Sequence, residues 1–181
     1  MPNYLDIEVT LDGVTPRIWR RFLLRERATF MDLHHSIQDA CGWEDAHLFA
    51  FRDANGQVVA SIPNDFGFGE PDPDAAKVPA GEYLKRHWHV RYEYDFGDSW
   101  EHVVELKQVV SDQERFTRRL LDGARAFPLE DCGGLPGYDD LVAVAAGGQA
   151  AYHDTDEFRQ WCAGWDPESF DIDVVRTSFD R

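Results

Sequence analysis

Carboxylates crowd two short stretches of this chain, and a histidine stands among them. Asp95, Asp98, Glu101 and His102 follow one another closely, while Glu130 and Asp131 stand directly before Cys132-Gly133-Gly134. Carboxylate oxygens beside an imidazole suit a hard divalent cation, which could polarise a phosphoryl group for hydrolysis. The glycine turn offers different chemistry: backbone N–H groups at Gly133 and Gly134, with the guanidinium groups of Arg20 and Arg21, could hold an anion. A purely structural assignment competes with both. Asp95 and Asp98 would then orient a turn, and Glu130 and Asp131 would pair with Arg20 or Arg21 at the edge of the core. No His-x-x-His, HExxH or regular zinc spacing is present, so any metal centre has to be assembled by the fold.

The elements that must position these groups can be read from periodicity. Val90, Tyr92, Tyr94 and Phe96 alternate with charged neighbours, and Trp100, His102, Val104 and Leu106 do the same downstream. A loop of Gly97-Asp98-Ser99 sets Phe96 against Trp100, Tyr94 against His102 and Tyr92 against Val104, gathering the apolar side chains on one face. The same register places Asp95 opposite Glu101, a like-charge pair that Arg91, another arginine or a ligand has to answer. Around this hairpin, Leu5 to Leu11 and Arg17 to Leu24 read as an antiparallel pair, with Arg20 on the side of Ile18 and Phe22. Thr29 and Asp32 form a capping-box pair at the start of a helix that Gly42 ends. His34 borders the buried stripe of that helix, as a hydrogen-bonded packing residue or a ligand. His47, Phe49 and Phe51 lie on one side of a further strand that turns at Asn55-Gly56. Pro63 to Gly81 is a long Pro/Gly/Asp-rich surface loop. Val109 to Leu121 is expected to be helical, the glycine segment Pro128 to Tyr138 irregular with positive φ, and Asp139 the cap of a short helix from Asp140 to Ala146. Asp154 or Thr155 caps a last helix, and the segment around Phe170, Ile172 and Val174 is expected to be extended.

Composition limits the partners. The chain has 181 residues, 43% of them hydrophobic and 29% charged, in the range of a folded globular protein. No apolar run approaches the roughly 20 residues of a membrane span. Cys41, Cys132 and Cys162 form no CxxC and are odd in number, which points to reduced thiols and a cytoplasmic setting. With 34 acidic against 18 basic residues the formal charge is -16, which disfavours nucleic acid unless the arginines of the Arg17–Arg27 segment gather on one face. A protein partner or a small anionic ligand is compatible with that balance.

Other motifs lead nowhere. Asp95-Phe96-Gly97 matches a kinase tripeptide without a nucleotide loop to serve it, and no serine sits in a GxSxG elbow. Cys132 as a nucleophile with His102 or His153 as base competes with its use as a small turn residue. The aromatic face of the hairpin could stack bases, but core packing explains the same alternation.

Five segments in order resemble the Ri-plasmid ORF-three-like family. They are Arg17-Ile18-Trp19-Arg20-Arg21; Leu33-His34; Tyr94 to His102; Glu130 to Tyr138; and Asp166-Pro167-Glu168-Ser169-Phe170-Asp171. The resemblance runs from about Tyr4 to Asp173 and implies a single α+β domain over residues 1–181. It also implies a setting in mobile elements, since some family members are named as passengers of insertion elements, but no settled activity. Some members carry a resolvase-like label, for which this sequence has no serine-recombinase pattern. Where the family often has Pro-x-Cys before the Asp122-Gly123 position, this chain reads Phe116-Thr117-Arg118-Arg119, which argues against a cysteine-based metal site there.

The expectation is thus an α+β domain whose mixed or mostly antiparallel sheet of hairpins packs against the capped N-terminal helix and short C-terminal helices. Two functions follow from the residues: a non-catalytic binding or accessory module, or a metal-assisted hydrolase using Asp95, Asp98, His102, Glu130 and Asp131. Nucleic-acid binding through Arg17–Arg27 is a weaker third.

Overall fold

The computed structural model describes residues 1–63 and 71–181. The alternation of Leu5, Ile7, Val9 and Leu11 builds β1 (Asn3–Leu11), which pairs with β2 (Trp19–Arg25). The capping box at Thr29 and Asp32 forms with both reciprocal hydrogen bonds and starts α1 (Phe30–Cys41), and Gly42 ends it in the left-handed conformation at φ 80°. Next come β3 (Phe49–Arg52), β4 (Val58–Ser61), α2 (Ala80–His87), β5 (His89–Tyr94), β6 (Trp100–Ser111) and β7 (Arg118–Ala124). The chain closes with α3 (Gly134–Ala145), α4 (Thr155–Trp161) and α5 (Ile172–Phe179). The strands form one open sheet of seven, ordered β4-β3-β5-β6-β1-β2-β7, with every pairing antiparallel. This is an α+β domain.

The two faces of the sheet differ. Leu5, Ile7, Val9, Phe22, Leu24, Val90, Tyr92, Tyr94, Trp100, His102 and Val104 fill the core side, where α1 buries Phe30, Leu33, His34 and Ile37. On the other side Arg21 grips Asp6 with two bonds of 2.8 Å, and Arg17 reaches Glu8 at 2.8 Å. No helix among the described residues is long and apolar enough to cross a membrane.

Several elements depart from the reading of the sequence. The central hairpin keeps its apolar face but shifts by two residues: Tyr94 pairs with Trp100, Tyr92 with His102 and Val90 with Val104. The connecting loop is therefore Asp95 to Ser99, and Phe96 is 48% exposed rather than packed on Trp100. A two-residue shift preserves side-chain parity, so hydrophobic patterning cannot distinguish the registers. Backbone bonds decide it: Asp95 and Ser99 both take positive φ, and the Ser99 N–H donates to the Asp95 carbonyl at 2.6 Å. The like-charge cross-strand pair becomes Glu93 and Glu101, answered by Arg52 at 3.2 Å and Arg91 at 2.5 Å.

Val109 to Leu121 is not a helix. β6 continues to Ser111 along β1, and β7 pairs with β2. The segment at Ile172 is the helix α5, capped by Asp171, so α4 is not the last helix. The glycine segment has the expected positive φ at Gly133 and Gly134, but α3 begins inside it, and Asp139 caps nothing. Pro136 falls in the first turn of α3, where its missing N–H removes no helical bond. Of the 63–81 loop, residues 64–70 lie outside the described residues. Beyond them Asp74 bridges to Ser61, and Ala80 and Gly81 already belong to α2.

Candidate functional site

The tip of the central hairpin meets the glycine bend. Asp98 Oδ2 accepts the Gly133 N–H at 3.1 Å, and a Cβ on Gly134 would stand 2.6 Å from the Asp98 carbonyl oxygen, so glycine is needed for the approach. Asp95 Oδ1 accepts the Gly97 N–H at 3.0 Å and shapes the loop, which turns Oδ2 toward His47. His47 Nε2 lies 3.7 Å from Asp95 Oδ2 and 3.0 Å from Asp131 Oδ1. Asp95 and Asp131 thus converge, but on a histidine that the sequence marked only as part of a strand face.

The other members of the expected set point elsewhere. Glu130 accepts a short bond of 2.5 Å from the Tyr94 hydroxyl and one of 2.6 Å from the Glu44 N–H. Burial, with Glu130 adding to it, pushes the Tyr94 phenol above its ordinary range. His102 is fully buried on the core face, its Nδ1 donating to the Tyr92 carbonyl at 3.3 Å. Burial pulls its pKa down to about 4. The five residues therefore do not surround one point. Cys132 is buried, and burial, with Asp98 nearby, pushes its thiol up to about 12, which is unsuited to a nucleophile.

The arginines divide sharply. Arg17, Arg21 and Arg25 are engaged by Glu8, Asp6 and Asp32, so most of the basic run is neutralised on the sheet. Arg20 is different. It is 4% exposed and no carboxylate among the described residues pairs with it. Its Nε donates to the Ala40 carbonyl at 3.0 Å, and Nη1 donates to the carbonyls of Trp19 and Ala124 at 2.8 and 3.1 Å. Phe127 and Phe170 cover the guanidinium at 4.9 and 4.1 Å. Burial lowers its pKa to about 10, still charged at neutral pH.

Arg20 forms part of the wall of a cleft of about 710 Å³ between the end of α1, the 126–131 segment and the C-terminal helices. Trp43, Phe127, Trp161, Trp165 and Phe170 supply aromatic surface, and Glu44, Glu130, Asp131 and Asp171 supply carboxylates. The Trp43 and Trp165 indole N–H groups donate to the Pro128 and Phe127 carbonyls at 2.9 and 3.0 Å, which fixes the 126–128 strap. A smaller cleft of about 250 Å³, lined by Asp131, His153, Asp154, Glu157, Phe158 and Trp161, shares Asp131 and Trp161 with the first. There Asp140 accepts the Ala151, Tyr152 and His153 N–H groups and the His153 ring at 2.8 Å. Burial opposes its charge, but these donors hold the carboxyl below its ordinary range.

A solved structure shares this architecture. A structure of a protein of unknown function, MM3350 from Methanosarcina mazei Go1, superposes with a TM-score of 0.82 at 29% identity, covering 96% of each chain. The uncharacterized protein y4hQ of Sinorhizobium fredii is 30% identical over 172 residues, 90% of this chain and 82% of that protein. The model of the plasmid pRiA4b ORF-3-like proteins matches residues 3–174. The chain belongs to the plasmid pRiA4b ORF-3-like family.

Proposed function

We propose that this protein is a non-catalytic binding module whose ligand is a small monoanion with a flat apolar body, held in the Arg20 cleft. The observation that carries this reading is the buried guanidinium, which has no carboxylate partner among the described residues. A buried charge is normally paired, and an unpaired one costs several kcal/mol, so the free Nη2 edge favours an incoming carboxylate. The aromatic walls match a planar body, since offset stacking adds about 1 kcal/mol to the area buried. Glu44, Glu130 and Asp171 around the cleft repel a polyanion, which separates this ligand class from nucleotides and nucleic acid.

Calorimetric titration with 2-naphthoate, 2-naphthamide and pyrophosphate tests the reading. Naphthoate is expected to bind saturably, and the isosteric amide and pyrophosphate at least about tenfold more weakly, the loss of one charge-assisted contact. Arg20→Met removes the charge, and Trp161→Ala, at a half-exposed position, weakens binding without risk to the core. Equal affinity for the amide, or binding indifferent to both substitutions, overturns the assignment.

A further inference from the structure

At the border of that cleft, we infer that His47, Asp95 and Asp131 form a binding site for a first-row divalent cation of the zinc and cobalt class. One ligand atom from each lies within 4.8 Å of the other two. Donors around such a cation stand roughly 3.0–3.4 Å apart when each bond is about 2.1 Å. The His47 Nε2 to Asp131 Oδ1 distance of 3.0 Å already meets this, and the 3.7 Å to Asp95 Oδ2 needs only a small side-chain adjustment.

A second, independent observation concerns the imidazole. His47 Nε2 is shut off from solvent and makes no hydrogen bond of acceptable geometry, despite its closeness to Asp131. A solvent-shielded ring nitrogen between two carboxylates is a position that a cation would satisfy by displacing any proton on Nε2. Neither Asp95 nor Asp131 pairs with a lysine or arginine among the described residues, whereas Asp6, Glu8, Glu93 and Glu101 all do. Among the described residues both carboxylates share His47 alone as a basic partner, so a bound divalent cation would add the positive charge that relieves their repulsion.

The supporting contacts resemble those that orient metal ligands. Asp95 spends one oxygen on the Gly97 N–H and leaves the other free, and Asp98 ties the hairpin tip to the Gly133 N–H, next to Asp131. One nitrogen and two oxygens favour zinc or cobalt over calcium, which wants six to eight oxygens, and over magnesium, which keeps its water. Asp131 borders both clefts, so the cation is reachable from either. The second cluster, His34, His35 and Asp45, is a poorer candidate. Both His34 nitrogens are already engaged, by Tyr92 at 2.8 Å and Asp45 at 2.7 Å.

The test is titration of chelator-stripped full-length protein with ZnCl2, CoCl2 and MgCl2, with the visible absorption of cobalt as a second readout. One equivalent of zinc or cobalt is expected to bind on the order of micromolar, with magnesium about a hundredfold weaker. His47→Ala and Asp131→Asn should each weaken zinc by about tenfold or more, as loss of a ligand does, and His35→Ala should not. Asp131 is 72% exposed at its side chain, so Asp131→Asn leaves folding intact, and unchanged circular dichroism verifies this. Absence of saturable zinc binding overturns the inference. So does binding that survives Asp131→Asn, or binding that is lost in His35→Ala.

Discussion

His102 shows how a residue that looked chemical in the sequence serves the core instead. Its ring lies 6.0 Å from Phe127 in a stacked arrangement and meets Trp43 edge-on, and burial holds its pKa near 4. In the unfolded chain a histidine titrates near 6.5. As the pH falls below that value the unfolded chain takes up a proton that the folded one refuses. The stabilisation is therefore whole above about 6.5 and is lost toward 4. Between pH 7 and pH 5 this group alone should lower the unfolding free energy by about 2 kcal/mol. His34, held near 4 mainly by burial against the opposing pull of Asp45, acts in the same window. Urea unfolding at the two pH values should show this loss, and His102→Gln should remove about half of the pH-dependent difference; an unchanged difference refutes the account. At this scale the sequence singled out Asp95 and Asp131 but not His47, which lies beside them. Its strand-like spacing with Phe49 and Phe51 argued for packing, and only the fold brings it to Asp95 and Asp131.

Elements form or fail here through contacts that local patterning does not carry. Gly137, in the first turn of α3, sits so close to Cys132 that a Cβ would fall 1.6 Å from its carbonyl oxygen. Gly42 also needs glycine, but only for its φ of 80°, with nothing within 4 Å. Gly137→Ala must therefore push backbone apart and should cost about 3 kcal/mol, whereas Gly42→Ala carries only left-handed strain of about 1 kcal/mol. Urea denaturation of the two variants tests that order, and equal costs would contradict it. The same distinction explains which elements were legible. α1 was readable because its cap, stripe and terminator are all local. The end of β6 and all of β7 were not, because Phe116, Leu120 and Leu121 fit a helical spacing as well as a strand, and pairing with β1 and β2 decides between them. α5 was misread for the converse reason: Phe170, Ile172 and Val174 alternate, while its core contact, Phe179, lies further along the chain. α2 went unread because its few apolar residues follow a loop signal and are hidden among charges.

Across the whole molecule, the C-terminal part both closes the sheet and walls the cleft. The β7 edge is covered where the Arg118 and Arg181 backbones bond to each other, the Leu120 N–H donates to Asp180 Oδ1, and Arg176 Nε donates to the Leu120 carbonyl. An exposed edge strand would otherwise invite pairing with another chain. Phe170 fastens the same region from within, lying on the Arg20 guanidinium and above Gly123, where a Cβ would come within 2.7 Å of its ring. Phe170→Ala removes that contact. Hydrogen exchange should then quicken by about tenfold in α4 and α5, equivalent to about 1.4 kcal/mol of local stability, with β1 and β6 unchanged. Uniform acceleration across all elements would mean that Phe170 supports the entire core rather than the docking of one part. No acceleration would mean that the edge bonds to β7 suffice alone. The expected pattern would identify the Phe127–Arg20–Phe170 sandwich as the joint that holds the cleft's far wall in place, so the charge proposed to meet a ligand would also be the charge that organises the cleft.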